Sequence, residues 1–281
     1  MQNFAEWIGN KQILADRCEQ RSITMLQALI NKKDQPLNAM PHLFHWMNFL
    51  HVVNQAEIGT DGHPNKGDFL PPIPFPRRMW AGGRLEFFQP ILIGQALRRV
   101  SEISNIQFKQ GKTGELYFVT VDHFIYANDI LAIKEQQDIV YKTATPSTHV
   151  QPKPSKVIEQ PVLHYSFKHQ QQLDSTALFR YSALTFNGHK IHYDRPYSMQ
   201  VEGYLGLVVH GPLLATLLMQ ALQDHVPQQH ILSFEFRANK PVFDFNTFYI
   251  CGDVQAETAQ LWIELEDGSI AMQAKATFQE A

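Results

Sequence analysis

Cysteine is almost absent from this chain. Its 281 residues hold two, Cys18 and Cys251, far apart in sequence and without metal-type spacing. That excludes a disulfide scaffold and a cysteine metal centre, and points to a reducing compartment. Charge is also sparse: 18% of the residues are Asp, Glu, Lys or Arg, and the formal net charge is −3. The basic residues are dispersed, with doublets only at Lys32-Lys33, Arg77-Arg78 and Arg98-Arg99. Nucleic-acid binding needs concentrated positive surface, so nucleic acid is not the expected partner. A local pair of cations remains enough to hold a CoA phosphate. Long apolar runs are missing too. Residues 203–222 carry no formal charge but include His210, Pro212, Gln220 and three glycines. The reliably apolar part, residues 212–222, falls short of the roughly 20 residues a bilayer requires. A buried core helix is expected there, and no membrane association. The first residues lack a basic region followed by an apolar run, so no signal peptide is expected.

What is present fits a globular protein: 44% of the residues are apolar, enough for one large domain or two modest ones. Residues 149–162 carry three prolines and few large apolar groups. Such a stretch favours extended conformation and reads as a linker. It divides the chain into residues 1–148 and 163–281. The halves echo each other. Leu85-Glu-Phe-Phe-Gln-Pro-Ile91 is matched by Phe234-Glu-Phe-Arg-Ala-Asn-Lys-Pro-Val242, each a strand running into a proline. Strand-like runs follow at residues 117–121 and 130–133, and again at 261–265 and 270–274. Turns are expected at 111–114 and 266–269. Helices are expected at 22–32, 176–185 and 212–222, the last with Pro212 in its first turn, where a missing N–H costs nothing. Residues 59–76, rich in Gly, Pro and Asn, read as a long irregular loop of the kind that often carries function.

The most informative stretch is Tyr181-Ser-Ala-Leu-Thr-Phe-Asn187-Gly-His-Lys-Ile-His192-Tyr-Asp194, followed by Leu205-Gly-Leu-Val-Val-His210-Gly211-Pro212. A neutral imidazole can take a proton from water and return it. A helix opening at Gly-Pro offers backbone N–H groups to developing negative charge. Together they suggest chemistry at a carbonyl, with a thioester favoured. His189-x-x-His192-x-Asp194 has a metal-like look, but the flanking residues suggest a loop and no third ligand cluster accompanies it, so no metal is expected.

This pairing resembles the signature of the MaoC-like (R)-specific enoyl-thioester hydratases and dehydratases of the hotdog superfamily. Phe75-Pro-Arg77-Arg78-Met-Trp80-Ala-Gly-Gly-Arg84-Leu-Glu-Phe87, Gly114-Glu-Leu-Tyr-Phe-Val-Thr-Val-Asp-His123 and Lys134-Glu-Gln-Gln-Asp-Ile-Val-Tyr141 look like one subgroup. It contains the mitochondrial type 2 hydroxyacyl-thioester dehydratases and bacterial hydratases of mesaconyl-C4-CoA and itaconyl-CoA. The resemblance implies an α+β double hotdog, two sheets each wrapping a helix and pairing side by side. The first half would shape the acyl pocket and the second would carry the chemistry. His192 falls on the catalytic histidine and Gly211 on the helix-cap glycine. Asn187 stands where the wider family has aspartate; it would orient the water or the imidazole without carrying a proton. Arg77, Arg78, Arg84, Trp80, Tyr193 and His210 are the expected substrate-binding residues, with the arginines facing a distal carboxylate or a CoA phosphate.

The implied reaction is reversible addition of water to a 2-enoyl thioester, first of all a branched C5 dicarboxylic acyl-CoA. It needs no cofactor, because CoA belongs to the substrate. A fatty 3-hydroxyacyl dehydratase, acting on CoA or acyl-carrier thioesters, is the alternative within the family. A hotdog thioesterase and a non-catalytic acyl-CoA-binding protein are the alternatives outside it. A bacterial cytoplasmic location is expected, with the mitochondrial matrix as the alternative, and a homodimer is compatible with the fold.

Overall fold

A computed structural model describes residues 4–32, 37–111, 114–143 and 164–279. The expected linker, residues 149–162, and the two half-chain boundaries at 148 and 163 lie outside the described residues. In the first half the order is β1 (Lys11–Arg17), α1 (Gln20–Leu29), β2 (Arg77–Phe87), β3 (Ala96–Gly111), β4 (Gly114–Ala127) and β5 (Ile130–Lys142). In the second half it is β6 (Phe167–Gln172), α2 (Ser175–Leu184), α3 (Gly211–His225), β7 (His230–Ala238), β8 (Thr247–Val254), β9 (Thr258–Leu265) and β10 (Ile270–Gln279).

The ten strands form one sheet in the order β1-β3-β4-β5-β2-β7-β10-β9-β8-β6. Read inward from either edge, each half contributes its first, third, fourth, fifth and second strand. The duplication expected from sequence is therefore present in the topology. The halves join where β2 pairs antiparallel with β7, Leu85 opposite Phe234. This is a double hotdog, the two halves lying side by side as two separate subunits would.

Helix α3 is the centre of the second half. Every residue from Leu213 to Leu222 is buried, which follows from a sequence apolar nearly all round. It packs with Leu207 and Val209, with Phe234 and Phe236 of β7 and with Phe248 of β8 in the main core. Asp174 caps α2 by accepting from the Ala177 N–H at 2.9 Å, as a carboxylate at this position should. Between α1 and β2, where the second half has α3, the described residues of the first half hold only two short 3-10 turns, Phe44–Met47 and Gln55–Glu57. The first sheet thus wraps α1 and this irregular segment rather than a long helix. Residues 77–84 form most of β2, with an irregularity between Trp80 and Gly82. No described helix is long and apolar enough to cross a membrane.

Candidate active site

His192 ends a single 3-10 turn, Lys190–His192, and is 7% exposed. Its Nδ1 lies 2.7 Å from the Val208 carbonyl oxygen. A carbonyl only accepts, so Nδ1 carries the proton and Nε2 holds the basic lone pair. None of the described residues bonds Nε2. Burial is the main cause that lowers the pKa of this imidazole, to about 4, so the ring is neutral at pH 7. The ring stacks on His210, with centroids 3.6 Å apart. His210 precedes α3 and is 1% exposed, and its Nε2 meets Ser182 Oγ at 2.9 Å. Burial and the neighbouring His192 hold its pKa well below the usual value. His210 therefore fixes the face of His192 from within the core.

Gly211 opens α3 directly beyond His210. Its N–H has no acceptor among the described residues, and Pro212 has no N–H. A side chain on Gly211 would approach the Trp80 carbonyl oxygen at 3.9 Å and Met272 Cε at 4.0 Å. The helix start thus presents the free Gly211 N–H close to β2 of the first half. Trp80 itself packs edge-on against Trp46 at 5.0 Å and lies 5.8 Å from Phe236, forming an apolar wall across the junction.

Two residues from the first half enter the cluster that sequence reasoning did not single out. Asp61 Oδ2 accepts from His63 Nδ1 at 3.0 Å, which leaves the His63 lone pair on Nε2. His63 lies against His189, with ring centroids 4.1 Å apart, and His189 meets His192 edge-on at 5.5 Å. Burial, then the charge of His63, lowers the pKa of His189 to about 2. Burial also lowers that of His63, against the opposing pull of Asp61. Burial would raise the Asp61 pKa, but the hydrogen bond from His63 prevails and holds it below the carboxylate range. The loops meet through two glycines. A Cβ on Gly62, at φ +90°, would fall 1.9 Å from the Gly188 carbonyl oxygen, and one on Gly188 would fall 2.5 Å from that of Gly62. Lys190 N–H donates to Asp61 O at 2.9 Å, closing the contact. Residues 59–76 were expected to form a functional loop, and the Asp-Gly-His sequence at 61–63 was the available signal. It reads equally well as an ordinary turn.

Asp61, His63 and His189 offer donor atoms within 4.8 Å of one another, the one such grouping among the described residues. The Asp61–His63 hydrogen bond already engages two of the three. The metal-like pattern read from sequence does not assemble: His192 Nδ1 is held by Val208, and Asp194 Oδ1 accepts from Tyr197 N–H at 3.0 Å.

The remaining expected residues divide. Asn187 Oδ1 accepts from His189 N–H at 3.0 Å, so its carbonyl group shapes the turn instead of holding His192, and only its Nδ2 is left for a water. Tyr193 is 44% exposed and donates to Gly188 O at 2.8 Å, which braces the loop. Arg77 pairs with Glu202 at 3.0 Å, tying β2 to the second half. Arg84 points away from the buried Leu85 and Phe87 and grips Asp138 at 2.7 and 3.0 Å. Alternation along the strand thus puts Arg84 on the opposite face from the site. Arg78 alone among these arginines lines a cavity, of about 190 Å³, together with Lys66, Arg99 and His123. A larger cavity of about 500 Å³ is lined by Gln220 and Gln223 near the far end of α3. Gln220 is nine residues beyond Gly211, about 14 Å along the axis, so this cavity is remote from His192.

A double hotdog with a buried imidazole beside a free helix-start N–H defines the MaoC-like class. Over residues 43–244 the sequence matches the family of hydroxyacyl-thioester dehydratase type 2. It is 43% identical to the mesaconyl-C(4)-CoA hydratase of Chloroflexus aurantiacus, over 97% of this chain and 96% of that one. It is 26% identical to the mitochondrial hydroxyacyl-thioester dehydratase type 2 of Schizosaccharomyces pombe, over 90% and 93%. A conserved hypothetical protein of Mycobacterium tuberculosis described as a double hotdog superimposes with a TM-score of 0.60, at 12% identity and with 99% and 98% of the chains covered. The chain belongs to the hydroxyacyl-thioester dehydratase type 2 family.

Proposed function

We propose that this protein is a hydro-lyase that reversibly adds water to a 2-enoyl-CoA, with mesaconyl-C4-CoA as its substrate. The observation that carries the chemistry is the fixed tautomer of His192. Its Nδ1–H is committed to Val208, leaving Nε2 to take a proton from water. The water oxygen bonds to C3, and the C2=C3 electron pair moves onto the thioester as an enolate. The free N–H of Gly211, at the positive end of α3, stabilises that oxygen. His192 Nε2 then returns that proton to C2, so both hydrogens and the oxygen of one water end on the product and the imidazole is neutral again. The Asp61–His63 pair supplies a second acid/base group, in place of the aspartate that Asn187 replaces. The substrate reading rests on the 43% identical relative, which aligns over nearly the whole of both chains. No cofactor enters this scheme.

The test is loss of enoyl-thioester absorbance with purified protein and mesaconyl-C4-CoA, crotonyl-CoA and a long-chain enoyl-CoA. His192→Ala is expected to lower kcat by roughly 10²–10⁴-fold with the fold retained. His63→Gln, which leaves His192 in place, is expected to lower kcat by about tenfold or more at unchanged Tm. Near-normal turnover in His192→Ala sinks the mechanism. Release of free CoA without consumption of the double bond would identify a thioesterase instead.

A further inference from the structure

The inner face of a hotdog sheet packs against the core and should be apolar. In the first half it is apolar only at its two ends. One end, Leu97, Ile125 and Ile133, packs in the main core with α1. The other, Ile103, Val119, Val121 and Tyr141, forms a separate cluster with Phe4 and Ile73. Between them runs a polar band: Arg99 and Ser101 on β3, His123 on β4, Glu135 and Gln137 on β5. Glu135 is 2% exposed and already engaged. His45 Nε2 lies 3.0 Å away, and Trp46 Nε1 and Gln137 Nε2 donate to it at 2.9 and 3.2 Å.

Arg99 has no such satisfaction. Its Nε is buried without a partner, its guanidinium lies 5.1 Å over the Phe49 ring, and no carboxylate of the described residues is within ion-pair distance. Arg78 likewise has no carboxylate partner among the described residues, whereas Arg77, Arg84, Arg98 and Arg195 each have one. Arg78, Arg99 and Lys66 line the same 190 Å³ cavity, Lys66 held there by donating to the Ile73 and Phe75 carbonyl oxygens at 2.9 and 2.5 Å, and His123 Nε2 is buried beside them with no partner among the described residues. The one acid lining it, Asp68, is largely exposed and lies 3.9 Å from His51. Partly desolvated guanidinium groups without a carboxylate are costly unless an anion completes them. The cavity is next to the reacting groups: Pro64 and Asn65 of its wall follow His63, and the charge of Arg78 reaches both His63 and His189.

We infer that this cavity is the receptor for the distal carboxylate of a dicarboxylic enoyl thioester, with Arg78, Arg99 and Lys66 as its cations. The inference rests on the hydratase reading above and adds the residues that choose the substrate. Arg99, Lys66 and His123 were outside the expected set. The cavity is below the roughly 300–1,000 Å³ of pockets that enclose drug-sized ligands, so it suits a short acid terminus better than a fatty chain. In mesaconyl-C4-CoA the free carboxylate is carried on C3, the carbon that water attacks. Its negative charge opposes the approach of a developing hydroxide, and the facing cations cancel that opposition. The pocket therefore acts on kcat as well as on KM.

The deciding comparison is between mesaconyl-C4-CoA and 3-methylcrotonyl-CoA, in which a methyl replaces the carboxylate. Both are assayed for hydration, and both are titrated calorimetrically, which reads binding independently of turnover. Arg99→Met and Arg78→Met are each expected to reduce the preference for the dicarboxylic thioester by roughly 10–100-fold, the worth of a charge-assisted hydrogen bond. Arg99→Lys should restore part of it. Arg98→Met, one residue away on the outer face, should leave the preference at the parent value. An equal loss on both thioesters, or an unchanged preference in both Met variants, overturns the pocket while leaving the hydratase reading intact. A parent that binds mesaconyl-C4-CoA more tightly but hydrates neither thioester overturns the hydratase reading and keeps the pocket. A parent with no preference in binding or in rate overturns the pocket. If Arg99→Met does not fold, Arg78→Met decides alone.

Discussion

At the scale of single residues, the state of His192 sets the pH behaviour. Burial lowers its pKa to about 4, and only the neutral ring has a lone pair on Nε2 for the water proton. Activity should therefore be level from pH 7 down to about 5 and fall below that, with an acid limb well under the usual histidine value of about 6.5. A pH–rate profile of kcat/KM reads this directly. Asn187→Asp gives a sharper test. The aspartate keeps the oxygen that accepts from His189 N–H, so the turn survives, and it adds a negative charge close to the imidazoles. A nearby anion favours the protonated ring, so the acid limb should move to higher pH while the plateau stays near the parent. Asn187→Ala removes the acceptor and should lower the plateau by loosening the turn that holds His189 and His192. An unmoved limb in Asn187→Asp would mean that residue 187 is electrostatically remote from the base.

At the scale of elements, the close approach of residues 59–63 to residues 187–190 has a specific sensitivity. Gly188→Ala would place a methyl 2.5 Å from the Gly62 carbonyl oxygen, so the loops must part. Overpacking of this kind costs about 1–3 kcal/mol, and the parting also withdraws Asp61 and His63. The expected result is a lower Tm together with a kcat reduced at least as far as in His63→Gln. Normal Tm and kcat would show the two loops to be independent. Much at this scale was legible in sequence. Pro212 and an uncharged apolar run mark α3, the strand-like run at 117–121 marks β4, and the repeated Glu-Phe pattern marks β2 and β7. Other elements were not. The Gly82-Gly83 stretch of β2 owes its strand identity to pairing with β5 and β7 on both sides, which no local propensity encodes. Arg84 and Tyr193 lie near the right residues in sequence but point elsewhere, one by strand alternation and one by a hydrogen bond to Gly188. Arg99 and Asp61 could be assigned only once the sheet and loops were assembled.

At the scale of the whole molecule, buried histidines govern the response to acid. Burial is the main cause that lowers the pKa of His42, His123 and His192 to about 4 and that of His189 to about 2. In the unfolded chain each titrates near 6.5. As pH falls below 6.5 the unfolded state takes up protons that the folded state refuses, so stability falls steadily toward pH 4. Glu135 extends the loss. Burial works to raise its pKa, but His45 and its other partners hold it at about 2, so its contribution disappears as pH falls from about 4.5 through 2. Thermal unfolding should show Tm declining continuously from pH 7 to pH 4; a flat Tm across that range would contradict the buried neutral histidines. The sheet itself carries a different consequence. Its strand order is the same from either edge, while the long helix occurs on one side only. Two identical hotdog subunits related by a twofold axis own two equivalent reaction centres. Here the symmetry persists in the framework and is broken in what the framework holds. Saturation should therefore come at one thioester per chain, and that chain should be the smallest unit that turns over.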